Sequence, residues 1–305
     1  MIETVNSVLG GISGVLWGPY ALAPLLAVCA VTFTVATRFI QVRRFGHALG
    51  LLMGKYDNPE DEGALSHFKA LATALSATIG LGNIAGVAVA IRTGGPGAVF
   101  WMWLTGLFGM ATKYCTCMLA MKYRHVDPDG NIRGGPMYYI EEGLGRRWRP
   151  LGVFFAVAVI LSSFGMANLF QTNQVASEFY RTLDIRPWMT GAVIAGLVYL
   201  VIIGGIRRIG EVAGRIVPFM CVIYVMGALG VMAVNADKVP GALALIVKSA
   251  FTGTAAAGGF AGAGVWFALS WGVRRGIFSN EAGLGSAPMA HAAAKTGEPV
   301  REGLV

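Results

Sequence analysis

The stretch "ALSATIGLGNIAGVAVAI" (residues 74–91) has the composition of a membrane-spanning helix, because it is apolar and carries no charged side chain. Its middle is Thr-Ile-Gly-Leu-Gly-Asn, in which two glycines and an amide side chain disfavour a regular helix. Backbone that leaves the helix at this depth has amide and carbonyl groups that lipid cannot satisfy. The stretch therefore predicts a broken span whose freed backbone groups face protein or a cavity.

The whole chain has the composition of a polytopic membrane protein. Of its 305 residues, 55% are hydrophobic and 13% are charged, and the mean hydropathy is +0.61. The net charge of +8 could suit nucleic acid, but the basic residues lie in short loops instead of along one amphipathic face. We therefore predict an all-α, multi-pass protein of the plasma (inner) membrane. It would be surrounded by the lipid bilayer, and we do not expect it to bind nucleic acid.

Long apolar runs give the predicted spans, since a helix needs about 20 apolar residues to cross the hydrocarbon core. The six continuous runs are residues 14–37, 71–91, 98–121, 151–176, 188–206 and 212–234. A seventh region, 258–294, is apolar but interrupted by glycines and charges.

Basic residues predict the orientation of these spans. Loops that face the cytoplasm are enriched in lysine and arginine, which places the N-terminus outside and the first, third and fifth loops inside. Those loops hold Arg38, Arg43, Arg44, Lys55, Lys69, Lys122, Arg124, Arg133, Arg146, Arg147, Arg149, Arg207, Arg208 and Arg215.

A second glycine break echoes the first. "SATIGLGNIAGVAVA" (residues 76–90) aligns with "SNEAGLGSAPMAHAA" (residues 279–293), which places the two Gly-Leu-Gly motifs opposite each other. Four unbroken spans separate the copies, so the second copy crosses the membrane in the opposite direction. Paired interrupted spans of this kind mark the binding site of many transporters. The alternatives are a chance match of Gly/Ala-rich strings and, for Gly82 with Gly86, a glycine packing seam.

Two facing breaks have the chemistry to hold a small zwitterion and a cation. A half-helix N-terminus favours a carboxylate, and the carbonyls of a half-helix C-terminus favour an ammonium group or a metal ion. Asn168 and Gln171 share one face of the fourth span and either bind a carboxylate or bond between helices. Glu281 at the second break is a functional candidate, and Lys113 inside the third span either snorkels or lines the inner pathway.

Two features fit this pattern of spans less well. Arg274 and Arg275 precede the second break by a few residues. Either residues 258–272 form a separate re-entrant or surface helix, or the two arginines line an aqueous vestibule or snorkel to an interface. The chain ends in "KTGEPVREGLV" (residues 295–305), a charged turn followed by the start of an apolar run. We therefore expect a fragment that is incomplete at its C-terminus.

Several motifs resemble one family of transporters. "GGPGAVFWMW" (residues 94–103) resembles the signature of the alanine or glycine:cation symporter family, also called sodium:alanine symporters. "GLGNIAGVA" (80–88), "GGPMYYIEEGLG" (134–145) and "RGIFSNEAGLGSAPMAHAAAKT" (275–296) resemble the same family in the right order. The likeness runs from about residue 63 to residue 305.

The resemblance implies a leucine-transporter-like fold, with five plus five inverted helices of which the first and sixth are unwound. The chain would be one transmembrane domain, with an extra N-terminal helix at 14–37. The first five-helix repeat would cover 66–235, and 240–305 would begin the second repeat with the unwound sixth core helix. Core helices seven to ten, and part of the sodium site with them, would lie beyond this sequence.

The same resemblance implies alternating-access import of alanine or glycine, driven by Na⁺ or, in some members, by H⁺, with no other cofactor. Backbone and amide groups at the breaks would hold the two ends of the amino acid, and Phe278 would limit its side-chain size. The backbone carbonyls of Ala77 and Gly80 are candidates for binding Na⁺. The implied substrate-binding residues are Thr78, Gly80, Gly82, Asn83, Gln171, Phe278, Asn280 and Gly283.

One position departs from the family pattern. Where the family has a carboxylate three residues after the lysine, this chain has Lys113-Tyr114-Cys115-Thr116, which weakens a gating role for Lys113. Two other functions stay open, namely a channel-like or structural helix bundle and an inactive, truncated transporter. An enzyme is not expected, because no acid, base and nucleophile converge on either break.

Overall fold

Helices make up most of the computed structural model, which describes residues 2–18, 21–58, 60–128, 131–252 and 264–305. Two short strands, β1 (His125–Val126) and β2 (Ile132–Arg133), pair antiparallel, and a 3₁₀ turn covers Arg146–Trp148. The helices are α1 (Ile2–Leu16), α2 (Leu22–Ala36), α3 (Ile40–Arg43), α4 (Phe45–Leu52), α5 (His67–Thr78), α6 (Leu81–Gly94), α7 (Gly97–Lys122), α8 (Pro136–Leu144), α9 (Arg149–Phe164), α10 (Met166–Leu183), α11 (Pro187–Ile202), α12 (Gly205–Val234), α13 (Val239–Phe251), α14 (Val265–Asn280), α15 (Ser286–His291) and α16 (Pro299–Leu304).

Several of these helices suit a membrane. Within the described residues, Arg146–Phe164 and Gly205–Val234 are long and apolar enough to cross a bilayer. The helical segments His67–Thr78 and Asn83–Gly94 pass the same test together, as one broken span. Shorter apolar helices include α2, α11 and α13. The prediction of an all-α membrane protein is thereby confirmed.

Two predicted spans have different bounds in the structure. The run 14–37 is divided, because α1 ends at Leu16 and α2 begins at Leu22. A Cβ on Gly18 would lie 2.7 Å from the carbonyl oxygen of Gly14, so this tight turn requires glycine. The run 151–176 is interrupted at Gly165 (φ −109°, ψ −85°), where α9 ends and α10 begins.

The fifth predicted loop is also shorter than expected. The helix α12 begins at Gly205, so Arg207, Arg208 and Arg215 lie on its first turns instead of in a loop. Straight-chain arginine has a high helix propensity, and it can extend its charge away from an apolar helix. These basic residues therefore lengthen the helix beyond its apolar part.

The chain divides into two compact units. The first comprises Met1–Phe45, Gly82–Cys115 and Ile223–Leu284, and the second comprises Gly46–Leu81, Thr116–Val222 and Gly285–Val305.

The first unit depends on close approach of α7 and α14. A Cβ on Gly272 would lie 2.5 Å from the Cβ of Trp101, and a Cβ on Gly276 would lie 2.8 Å from the Cβ of Thr105. The glycines of α14 therefore let the two helix backbones approach, as small residues do in many membrane proteins.

The second unit packs small side chains around α5. Ala72 contacts Ala213 and Val217 of α12, while Ala74 contacts Cys117 and Ala287. The helix α15 also packs directly on α5. An alanine-rich surface on α5 thus allows its neighbours to approach closely.

Replacing Gly272 by alanine should destabilise the first unit, because overpacking of this kind costs about 1–3 kcal/mol. The control is Gly230→Ala in α12, where nothing lies within 4 Å of an added methyl group. Thermal unfolding of the purified chain in detergent micelles measures the difference. Equal melting temperatures for the two variants would contradict the close packing of α7 and α14.

Candidate functional site

The first glycine break is present at the predicted place. The helix α5 ends at Thr78, Ile79 is extended (φ −89°, ψ 106°), and α6 begins at Leu81. The hydroxyl of Ser66 caps the start of α5 by accepting a hydrogen bond from the backbone N–H of Lys69. The break therefore divides this span into two half-helices, each with its own terminus.

The second break covers more residues than the first. The helix α14 ends at Asn280, Glu281 adopts the left-handed conformation (φ 51°), and α15 begins at Ser286. Gly283 and Gly285 between them both have φ of 90°. Glycine adopts this backbone region readily and other residues do so at a cost, so the Gly-Leu-Gly motif is what permits the turn.

Gly285 is constrained by space as well as by its conformation. A Cβ on Gly285 would lie 2.5 Å from the Cζ atom of Phe155 and 2.9 Å from the Cγ atom of Pro136. Both neighbours belong to the second unit, as Gly285 does. The tight packing of the break onto α8 and α9 is therefore possible only without a side chain.

In the second unit, two predicted binding residues come together. A Cβ on Gly80 would lie 3.1 Å from the Oε1 atom and 3.4 Å from the Nε2 atom of Gln171. The half-buried amide of Gln171 on α10 thus lies against the bare backbone of the first break. The hydroxyl of Thr78 donates to the carbonyl of Ala74 at 3.0 Å, within its own helix.

In the first unit, the residues that follow the first break meet those that precede the second. The hydroxyl of Ser279 on α14 donates to the Oδ1 atom of Asn83 on α6. A Cβ on Gly106 of α7 would lie 3.2 Å from the Nδ2 atom of Asn280. Sequence reasoning used Ser279 only to align the repeat and missed it as a partner of Asn83.

Phe278 is fixed by an aromatic neighbour and by a cation. Its ring makes an edge-to-face contact with Trp17, with 6.2 Å between the ring centroids. The guanidinium of Arg275 lies 5.7 Å from the centroid of the same ring, a cation–π geometry. The structure thus places Arg275, for which the sequence left two positions open, beside Phe278.

The remaining predicted residues have varied surroundings. Asn168 is exposed on α10, unlike the half-buried Gln171 on the same helix. Lys113 and Glu281 are both half-buried. The Nε atom of Arg274 is buried without a hydrogen-bond partner in the described part of the chain. The surroundings of the Gly82 position lie outside what the structure describes.

A cavity of about 180 Å³ lies in the first unit between α2, α7 and α14. It reaches Ala282 at the second break and is otherwise lined by residues such as Leu26, Phe108 and Ile277. Its lining is almost wholly apolar, which does not suit a zwitterion. Within the described residues, no group of three or more histidine, cysteine, aspartate or glutamate side chains could hold a metal ion.

Comparison with known proteins places this geometry in context. A family model described as the sodium:alanine symporter family matches residues 2–305, which confirms the resemblance found in the motifs. An uncharacterized transporter of Haemophilus influenzae is 48% identical over 99% of this chain, and the sodium/alanine symporter AgcS of Methanococcus maripaludis is 47% identical over 100% of it. A probable sodium/glutamine symporter, GlnT of Bacillus subtilis, is 39% identical over 100% of this chain. The chain spans 65% of the length of each of the first two relatives and 62% of the third.

Gly285→Ala should destabilise the second unit more than Gly205→Ala does. Both glycines have positive φ, 90° and 64°, so both variants incur backbone strain of about 1–2 kcal/mol. Only at Gly285 does the added methyl group also meet neighbouring atoms, because nothing lies within 4 Å of a Cβ on Gly205. Thermal unfolding of the two variants in parallel measures the additional cost of the clash. Equal destabilisation would show that the second break is not packed as described.

Proposed function

The chain belongs to the sodium:alanine symporter family, and from that premise we propose that it takes part in cation-coupled symport of a small neutral amino acid, alanine or glycine. We take Na⁺ as the coupling ion, with H⁺ as the alternative. No further cofactor and no enzymatic chemistry belong to this proposal. The fold we propose is the leucine-transporter type, with residues 66–235 as the first repeat, residues 240–305 as the start of the second, and the N-terminus outside.

The observation that carries the proposal is the first break, where the Gln171 amide faces the bare backbone of Gly80. An amino acid is a zwitterion, and burying its two charged ends requires hydrogen-bonding partners for each. The Nε2 group of Gln171 can donate to a carboxylate without the cost of burying another charge. The half-helix N-terminus of α6 favours the same negatively charged group.

The ammonium group of the amino acid needs hydrogen-bond acceptors, and the cation needs oxygen ligands. The half-helix α5 ends at Thr78, and a helix C-terminus carries partial negative charge on its last carbonyl groups. We propose the backbone carbonyls of Ala77 and Gly80 as ligands for Na⁺, since oxygen atoms suit a hard cation. This arrangement is typical of transporters whose discontinuous helices bind substrate and ion together.

The substrate's side chain is proposed to contact residues before the second break. We propose that the ring of Phe278, which contacts Trp17 and Arg275, limits the size of a bound side chain. We also propose Asn280 and Gly283 near the second break, and Gly82 and Asn83 after the first break, as substrate-binding residues. A small substrate fits this proposal because glycine lets the ligand approach the backbone closely, while the aromatic ring of Phe278 occupies space.

A channel-like or structural bundle is the competing function, because α14 does use glycines to pack against α7. The two functions differ in ligand dependence. A symporter should bind alanine more tightly in Na⁺ than in K⁺, because both ligands share one site and stabilise each other's binding. A helix bundle whose glycines serve only packing should not bind alanine, and exchanging Na⁺ for K⁺ should have no effect on it.

We expect radiolabelled alanine to bind the purified chain in Na⁺ buffer, and its affinity to fall by about 5-fold or more when K⁺ replaces Na⁺. Binding is measured in lipid nanodiscs, and uptake is measured after reconstitution into proteoliposomes with an imposed Na⁺ gradient. A proton gradient in place of the Na⁺ gradient tests the alternative coupling ion. Alanine binding and uptake that ignore both ions would contradict symport.

Gln171→Ala should weaken alanine binding by about 10-fold or more, because a hydrogen bond to a charged group contributes about 1.5–3 kcal/mol. The control is Asn173→Ala, which removes an exposed amide from the same helix α10 and should leave the affinity unchanged. Equilibrium binding of alanine in Na⁺ buffer measures both variants. If Gln171→Ala binds like the wild type, the amide does not contact the substrate.

A further inference from the structure

Three ionisable side chains meet in the core of the second unit. The Nδ1 atom of His67 and the Nδ1 atom of His291 lie 2.5 Å from the Oε2 and Oε1 atoms of Glu302, respectively. Glu302 is 0% exposed, His67 is 1% exposed and His291 is 4% exposed. Both oxygens of one buried carboxylate are therefore occupied by two histidine rings.

The cluster joins three separate segments of the chain. His67 is the first residue of the half-helix α5, His291 is the last residue of the half-helix α15, and Glu302 lies on α16. The two half-helices that flank the glycine breaks on this side thus share one carboxylate.

Backbone bonds connect the same segments. The backbone N–H of Leu65 donates to the carbonyl of Ala293 at 3.0 Å, and the N–H of Lys295 donates to the carbonyl of Leu65 at 2.6 Å. Because the segment before α5 is bonded in this way to the segment after α15, the two half-helices are held at their ends by a contact that includes the cluster.

Arg124 strengthens this contact from a third direction. Its guanidinium donates to the carbonyls of Glu62, Ala292, Ala294 and Thr296 at distances from 2.6 to 3.1 Å. Burial lowers the pKa of Arg124, and the negative charges of Glu62, Glu302 and Asp61 act in the opposite direction.

Charge balance in the cluster depends on one further proton. If Glu302 is ionised, both Nδ1 atoms must carry hydrogen and donate to it, since a carboxylate only accepts. The Nε2 atom of His67 is then the open position, and it is buried without a hydrogen-bond partner among the described residues. It lies 3.8 Å from the Oδ1 atom of Asp57, whose side chain is 46% exposed.

We propose that Asp57, His67, Glu302 and His291 form a proton-binding site that latches α5 to α15. One proton from water, bound at His67 Nε2 between Glu302 and Asp57, closes the latch, and its release loosens it. Asp57 reaches the solvent, so it provides the route for the proton. The site goes beyond the proposed symport, and it does not depend on which ion drives transport.

The direction of the pH effect follows from the charges. Without the extra proton, the buried carboxylate of Glu302 has no cationic histidine beside it, and an uncompensated buried charge is costly. Among the residues that the structure describes, Arg301 and Arg124 also interact electrostatically with the cluster, and Asp61 and Glu62 lie near Arg124. Arg301 is also paired with Glu298, at 2.9 Å. The closed latch therefore binds more protons than the open one and weakens as the pH rises above about 6.5, the value for an unperturbed histidine.

Hydrogen exchange of the 305-residue chain in lipid nanodiscs tests the latch at pH values from about 6 to 9. After correction for the intrinsic pH dependence of exchange, the protection of amides in α5 and α15 should fall by up to about tenfold per pH unit, as release of one proton requires. Protection of amides in α11, which packs on α10, should stay constant. A wild-type chain whose α5 and α15 protection does not change with pH would overturn the proposal.

Variants identify the residues responsible. Glu302→Gln and His67→Gln should both remove the pH dependence of protection in α5 and α15. The control is His125→Gln, which breaks the exposed pair between His125 and Glu142 in the same unit and should keep the wild-type profile. A Glu302→Gln variant that retains the wild-type pH profile would overturn the proposal. If a variant does not fold, the proposal is tested by the wild-type chain alone, through the pH dependence of amide protection in α5 and α15 compared with that in α11.

The hydrogen-exchange experiment is carried out without substrate and without Na⁺. A constant exchange profile would therefore refute the latch and leave the symport proposal standing. Alanine binding that ignores both ions would refute symport and leave the latch standing.

Discussion

A helix cannot be interrupted inside a bilayer unless something other than lipid satisfies its freed backbone groups. Side chains from other helices pack against both interrupted segments of this protein. At the first break, the Gln171 amide lies against the backbone of Gly80. At the second, Phe155 and Pro136 close over Gly285. The sites that disrupt the helices are therefore also the sites where the rest of the chain must come close.

Glycine serves two separate purposes in this arrangement. At Gly283 and Gly285 it permits a backbone conformation that other residues adopt only at a cost. At Gly272 and Gly276 it sits in a regular helix, where its lack of a side chain lets α14 approach α7. The same residue type thus makes the breaks possible and keeps the adjoining helix close to its neighbour, which is why glycine alone does not distinguish a binding site from a packing surface.

The buried His67–Glu302–His291 cluster adds an electrostatic element to the same design. A helix ending at a break loses the continuity that would hold it in line with its other half. Contacts at the far ends of α5 and α15 supply an anchor instead, through Arg124, the backbone bonds of Leu65 and the shared carboxylate of Glu302. Because that carboxylate is fully buried, its protonation partners determine how strong the anchor is.

Much of this protein follows from its sequence. Apolar runs predicted an all-α membrane protein, the Gly-Leu-Gly motifs predicted both breaks, and the signature motifs identified the family, because each of these signals is local and depends on backbone conformation or burial. The sequence was wrong where one residue ends a helix inside an apolar stretch, as at Gly165, since hydropathy does not register a change in φ and ψ. Only the tertiary structure paired Asn83 with Ser279, placed Arg275 on Phe278, and brought His67, His291 and Glu302 together. Such pairs join residues far apart in the chain, and their meeting depends on how helices pack, which no local pattern contains.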